Sequence, residues 1–329
     1  MNSIKNWHFF PLAWVVCCAL AFPVAARAQF EEEKPEQSDA APKLDQKLVQ
    51  RLKVGAKVVA NGGPCAGLRI TTPVPIDWPE QKVKVVEEKA TPNVRNVTFI
   101  NNIAGGVRQM VITIPSLKAN EIAEAYTIYE IERHSLVPPE KTDELKIPPK
   151  PSNELKKYLG TSPLIELGDR EIIKLTKELP AEATGWARVE AIYDLTRDKV
   201  QYKEGPIKGA AKAVRDGTGD CEELTSLFIA LCRLQKIPAR TVWVPGHCYP
   251  EFYLEDAAGK GNWYPCQAAG SRAFGGIPEH RPILQKGDNF NDPDRPKERL
   301  RYVSEFMKGS AIKGGGKPQV DFVREVLAQ

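Results

Sequence analysis

A cysteine and a histidine together can supply a nucleophile and its proton carrier near neutral pH, and this sequence places one of each where its neighbours could use them. Cys221 lies in GTGDCEELTSLFIALCRLQKIPAR, residues 217–240. Asp220 can cap a helix that starts at Cys221, and Glu223, three residues on, can close a capping box. At a first helical position the unused N–H groups and the helix dipole favour a thiolate over a thiol whose ordinary pKa is about 8.5. Leu224, Leu227, Phe228 and Leu231 bury the far face, so the helix is fixed while its start stays open. Gly217 and Gly219 let a substrate chain approach closely. For a cysteine taken alone, the competing reading is a small inert residue at a helix start.

A thiolate that attacks needs a base that returns as an acid. His247 opens GHCYPEFYLED, and NWYPCQ follows after a Gly- and Ala-rich hairpin at Asp256–Asn262. If these two strands pair with His247 opposite Gln267, both side chains project toward the helix start, and the Gln267 amide oxygen can orient the imidazole. Glu251 falls on the same strand face as His247 by period two and could lend negative charge. The same register sets Cys248 opposite Cys266 on the other face, either as a cross-strand disulfide or as two reduced core cysteines. An oxyanion wants two donors. The backbone N–H of Cys221 is one, and Tyr202 in KVQY is either the second or a packing aromatic. His134 and His280 read as surface and loop residues, and Cys232 as core. No metal or other cofactor is expected, since adjacent His247 and Cys248 point opposite ways on a strand and no C-x-x-C occurs.

The elements that must hold these groups follow from the periodicity. Helical spacing covers Ile172–Leu179, Trp186–Leu195 and Asp220 to about Gln235, and strand-like runs cover Thr241–Leu254 and Trp263–Gln267. This helix-then-sheet order reads as an α+β core over 154–270. Before it, 63–135 breaks into short apolar runs separated by Pro, Asn and Gly, which predicts an antiparallel, sandwich-like β domain. LVPPEKTDELKIPPKPSN, 136–153, is a stiff connector. Residues 29–62 read as an acidic linker followed by a short helix on Leu44, Leu48, Val49 and Leu52. The extension 271–329 reads as loops with a helix around Arg299–Met307.

At the start, Lys5, an apolar run from Phe9 to Ala26 and Ala26-Arg27-Ala28 predict an export signal over 1–28, and hence a secreted or periplasmic protein with no stable membrane insertion after cleavage. Cleavage would remove two of the seven cysteines, Cys17 and Cys18, and an exported compartment permits disulfides. The 329 residues are 42% hydrophobic, enough for one large core or two ordinary ones. Lys and Arg number 46 against 42 Asp and Glu, spread along the chain, which argues against a nucleic-acid binder.

The GDCEE–helix–IPAR block, the H-x-Y-x-E strand (His247, Tyr249, Glu251) and the Trp263-Tyr264-Pro265 turn resemble the transglutaminase-like cysteine enzymes of the papain-like superfamily over roughly 165–270. The resemblance implies acyl transfer at carboxamides, with a protein or peptide donor and water or an amine as acceptor. It implies Cys221 as nucleophile, His247 as acid and base, and no required metal. The family's third residue is usually Asp, and the matching position here is Gln267, a neutral amide that stabilises imidazolium less. The alternative is a module that has lost catalysis and binds a peptide; a third is thiol exchange at Cys248 and Cys266.

Overall fold

A computed structural model describes residues 38–103, 106–312 and 315–328. The expected export signal and the acidic stretch up to residue 37 lie outside the described residues.

Among the described residues six strands come first: β1 (Lys43–Val59), β2 (Cys65–Val74), β3 (Gln81–Ala90), β4 (Asn96–Ile103), β5 (Val107–Leu117) and β6 (Ile122–Val137). Alternation is clearest in β6. In β6 every second residue from Ala123 to Arg133 is buried, and in β5 Met110, Ile112 and Ile114 point inward. The core elements follow: α1 (Asn153–Lys156), α2 (Arg170–Leu175), α3 (Gly185–Lys199), β7 (Gln201–Tyr202), α4 (Ala210–Asp216), β8 (Thr218–Gly219), α5 (Cys221–Leu234), β9 (Ala239–Val244), β10 (His247–Glu255), β11 (Gly261–Gln267), β12 (Ala273–Phe274) and β13 (Gln285–Lys286). The chain ends in β14 (Phe306–Ala311) and β15 (Gln319–Leu327).

These strands form an antiparallel sandwich with sheet orders β15-β1-β6-β3 and β14-β2-β5-β4, and a separate five-stranded sheet ordered β12-β11-β10-β9-β13. The expected α+β class, a sandwich-like domain followed by a helix-and-sheet core, is what the structure has. Two expectations fail. Residues 44–52 belong to strand β1, not to a helix. Leu44, Leu48 and Val49 are exposed, and the buried set starts at Leu52 and continues at Val54, Ala56 and Val58 with period two. A spacing of four suits one face of a strand as well as a helix: Leu48 and Leu52 share the face of Val54, which is covered only from Leu52 on. Nor is there a helix at Arg299–Met307: the segment leads into β14, which pairs with β2, while β15 pairs with β1. The extension therefore divides: β12 and β13 add to the five-stranded core sheet, and β14 and β15 return to finish the sandwich.

Helix α5 is the axis of the core. Leu224, Leu227, Phe228 and Leu231 pack against Phe252 and Tyr264 of the sheet and Ile192 and Tyr193 of α3. A buried ionic cluster joins core to sandwich: Lys286 Nζ donates to Glu80 and to Glu251, 2.6 Å each, and Arg133 donates to the Tyr249 hydroxyl at 3.0 Å.

Candidate active site

Asp220 starts α5. Its carboxylate accepts from the Glu222 N–H at 2.7 Å and from the N–H of Glu223, while the Glu223 carboxylate accepts from the Asp220 N–H at 3.0 Å. This is the capping box expected from the sequence. It leaves the Cys221 N–H, at the first helical position, outside the helix ladder and the cap. The helix beneath is almost entirely buried, so Cys221 stands half-buried on a rigid base.

β9 and β10 meet through a two-residue turn, Pro245-Gly246, and Gly246 takes φ 69°, which suits glycine. The turn delivers His247 and Cys248 to the helix start. His247 Nε2 lies 3.4 Å from Gln267 Oε1. The pairing that achieves this differs from the expected register. Glu251 opposes Pro265 and Glu255 opposes Gly261, because the hairpin closes over Asp256–Lys260, with Lys260 O accepting from the Asp256 N–H at 2.9 Å. The ladder is thus offset by two residues. An even offset keeps every side chain on its face, so His247 and Gln267 still share a face and meet as diagonal neighbours, within reach of long side chains. Gln267 is anchored from behind: its carbonyl accepts from the Tyr193 hydroxyl at 2.8 Å and from Arg197 at 3.2 Å.

The offset removes the expected disulfide. Cys266 opposes Phe274 of β12 and is buried in the core. Cys248 lies elsewhere, 3.8 Å from Thr225 Oγ1 of α5 and against Cys221. All five cysteines of the described residues are free. Cys248 is the neighbour that sequence reasoning missed. Alternation put it opposite His247, yet at the strand's end, where the chain leaves the Gly246 turn, both reach the same thiol.

The consequence is electrostatic. The Cys221 thiol is drawn down to about 4, first by the hydrogen bond from the Cys248 thiol, against the opposing effect of burial, then by His247 and the Cys248 backbone N–H. Burial, together with the neighbouring Cys221, pushes Cys248 far up, so it stays a protonated donor.

Glu251 does not serve the site. It is buried on the sandwich side between Arg240, at 2.9 Å, and Lys286. Tyr202 is exposed, next to Gly219 through the short β7–β8 pair; its hydroxyl is raised by desolvation, Glu204 and Cys221, which places it in the electrostatic neighbourhood of the thiol. Of the aromatic residues in this region, Trp243 lines the site, whereas Tyr249 faces the sandwich and Trp263 packs on Tyr158.

A cleft of about 380 Å³ opens over Cys221 and His247. One wall was not foreseen: Arg301, Tyr302 and Arg324, from the segment that returns to the sandwich. Arg301 pairs with Glu222 and Arg324 with Glu305. Burial, only partly offset by Arg301, pushes the Glu222 carboxyl up to about 7.

A half-buried cysteine at a helix start, facing a histidine on an adjoining antiparallel sheet, has the layout of a papain-like Cys–His pair. Comparison narrows the class. Residues 173–268, within the core, match the model of the transglutaminase-like superfamily. The structure of a candidate cysteine protease from Cytophaga hutchinsonii is similar, with TM-score 0.54 at 16% identity, covering 86% of this chain and 94% of that one. This likeness is one of fold. A second structure, a candidate protease from Parabacteroides distasonis, aligns at 11% identity over 62% of this chain and 63% of that one, with a TM-score of 0.24 that carries no argument. Among curated proteins there is no match.

Proposed function

We propose that the protein is an exported cysteine enzyme that cleaves or transfers acyl groups at carboxamides. The observation that carries this reading is the convergence on Cys221 of three favourable groups: a capped helix start, the Cys248 donor pair and His247. In the proposed reaction, the Cys221 thiolate attacks a carboxamide carbonyl of a protein or peptide donor. The oxyanion takes the Cys221 N–H, and His247 delivers its proton to the leaving amine as the tetrahedral adduct collapses to a thioester. His247 then removes a proton from water, giving hydrolysis, or from an amine, giving transfer. Gln267 holds the imidazole through the reaction. Export rests on the signal-like residues 1–28.

The test is iodoacetamide labelling of each cysteine across pH, read by mass spectrometry, followed by amine incorporation and ammonia release on glutamine peptides. Rapid labelling of Cys221 below pH 7, slowed by His247→Ala, and turnover lost in Cys221→Ala, are the expected results. Gln267 where the family usually has Asp favours a second reading, a peptide-binding module without turnover. That reading requires peptide affinity to survive Cys221→Ala.

A further inference from the structure

The returning segment puts an unusual set of groups into the cleft. Arg301, Tyr302 and Arg324 line it together with Cys221 and His247, and none of the three lies within the matched residues 173–268. Two of their polar atoms are buried without a hydrogen-bond partner among the described residues: the Tyr302 hydroxyl and Arg324 Nε. A buried donor left unmade is costly, and one in the wall of a reactive cleft is satisfied when an acceptor arrives. The positions are well defined. The Trp243 indole is held by its N–H donating to Gly287 O at 2.9 Å; the Tyr302 ring packs against it at 5.1 Å, and the Arg301 guanidinium sits 5.4 Å from its centre.

Donors that carry charge and a planar fork suit a carboxylate or a phosphate, and of these the carboxylate is the anion that a peptide donor carries in its own side chains and terminus. We propose that this cleft takes an acyl donor with a carboxylate beside the reacting carboxamide, recognised by Arg301, Tyr302 and Arg324. The carboxylate is an acidic side chain or a free α-carboxylate. The proposal rests on Cys221 being the reacting thiol.

The competing charges are local. Glu222 already pairs with Arg301 and Glu305 with Arg324, but a guanidinium has five N–H groups, and one carboxylate satisfies two of them at most. Burial holds Glu222 reluctantly as an anion, so a substrate carboxylate can take its place at Arg301. Asp220, the remaining acid of the cleft, is committed to capping α5. At about 380 Å³ the space suits one short acidic group next to the carboxamide rather than a run of chain.

The experiment uses three chloroacetyl probes that alkylate Cys221: chloroacetyl-glutamine amide, which is neutral; chloroacetyl-glutamate α-amide, with a side-chain acid; and chloroacetyl-glutamine free acid. The expected result is that one or both acids label on the order of tenfold faster than the neutral probe. The ratio should fall toward one in Arg301→Gln and Arg324→Gln, and at high salt. Tyr302→Phe keeps the ring against Trp243 and removes only the hydroxyl, so it reduces the ratio in a chain that folds even if an arginine variant does not. Whichever acid wins identifies the source of the carboxylate. Equal rates for all three probes, or an acid preference untouched by the three substitutions, overturns the proposal. Iodoacetamide in parallel separates it from the catalytic reading: slow alkylation of Cys221 defeats that reading, while the acid-to-neutral ratio is still measured at longer times.

Discussion

Cys248→Ala tests the physical account of the Cys221 thiolate. The structure makes the Cys248 thiol the largest single cause of the lowered Cys221 value of about 4, ahead of His247. A hydrogen bond to a charged group contributes about 1.5–3 kcal/mol. One pKa unit corresponds to about 1.36 kcal/mol, so losing this donor raises Cys221 by about 1–2 units. The sign follows from which form is bonded: the donor stabilises the thiolate, and without it the thiol holds its proton to higher pH. The Cys248 N–H and His247 remain, so the shift stops well short of an ordinary thiol. The assay is the rate of iodoacetamide alkylation at Cys221 between pH 3 and 9. Its midpoint should move up by that amount in Cys248→Ala and stay near the wild-type value in Cys248→Ser, whose hydroxyl still donates. Removing one small buried side chain should cost about 1 kcal/mol of stability, too little to confuse the result. An unchanged midpoint in the alanine variant, or equal shifts in alanine and serine, would refute the reasoning.

Three other outcomes test the ionic cluster, the cleft carboxyls and the free thiols. Lys286→Met leaves Glu80 and Glu251 buried without the ammonium they share, and should cost about 3–5 kcal/mol in urea unfolding, since breaking one side of a buried ion pair strands the other; a loss below about 1 kcal/mol would mean that Arg133 and Arg240 carry both carboxylates. Glu222, raised from 4.5 to about 7, destabilises the fold above pH 7 and ceases to do so as pH falls toward 4.5. Glu222→Gln should therefore melt higher than the wild type at pH 8 and no differently at pH 4.5, with Asp220, itself raised to about 6, leaving a smaller slope of the same sign. Unfolded in guanidinium without reductant, the protein should show Cys65, Cys221, Cys232, Cys248 and Cys266 all titrating as thiols, and dithiothreitol should leave the melting temperature unchanged; protection of Cys248 and Cys266 together would restore the bridge that the strand register excludes.

What was legible in the sequence is what is set locally. The Asp220–Glu223 box is a property of four consecutive residues, and it forms as spaced. The pairing of His247 with Gln267 survived a wrong register because a two-residue slip preserves faces. The same slip ended the Cys248–Cys266 pairing, since a disulfide demands a particular Cα separation, whereas a histidine and a glutamine can reach diagonally. Hairpin register depends on where the turn closes, and the Ala- and Gly-rich stretch inside Asp256–Asn262 does not itself mark that place; Asp256 and Lys260 close it. Glu251 was misassigned for a different reason. Period two gave its face correctly, but the deciding fact was a lysine 35 positions later, in a strand whose two residues carry no periodicity. The wall of Arg301, Tyr302 and Arg324 was out of reach for the same cause. It exists because the chain, after building the core, returns to pair β14 with β2 and β15 with β1. Those pairings span more than two hundred residues, and no local pattern in 271–329 announces them. On the proposed reading, the residues that choose a substrate lie in the segment leading to β14 and in β15, outside the helix-and-sheet core. Their variants should change which donors are accepted, while variants at Cys221 and His247 should change whether any donor reacts at all.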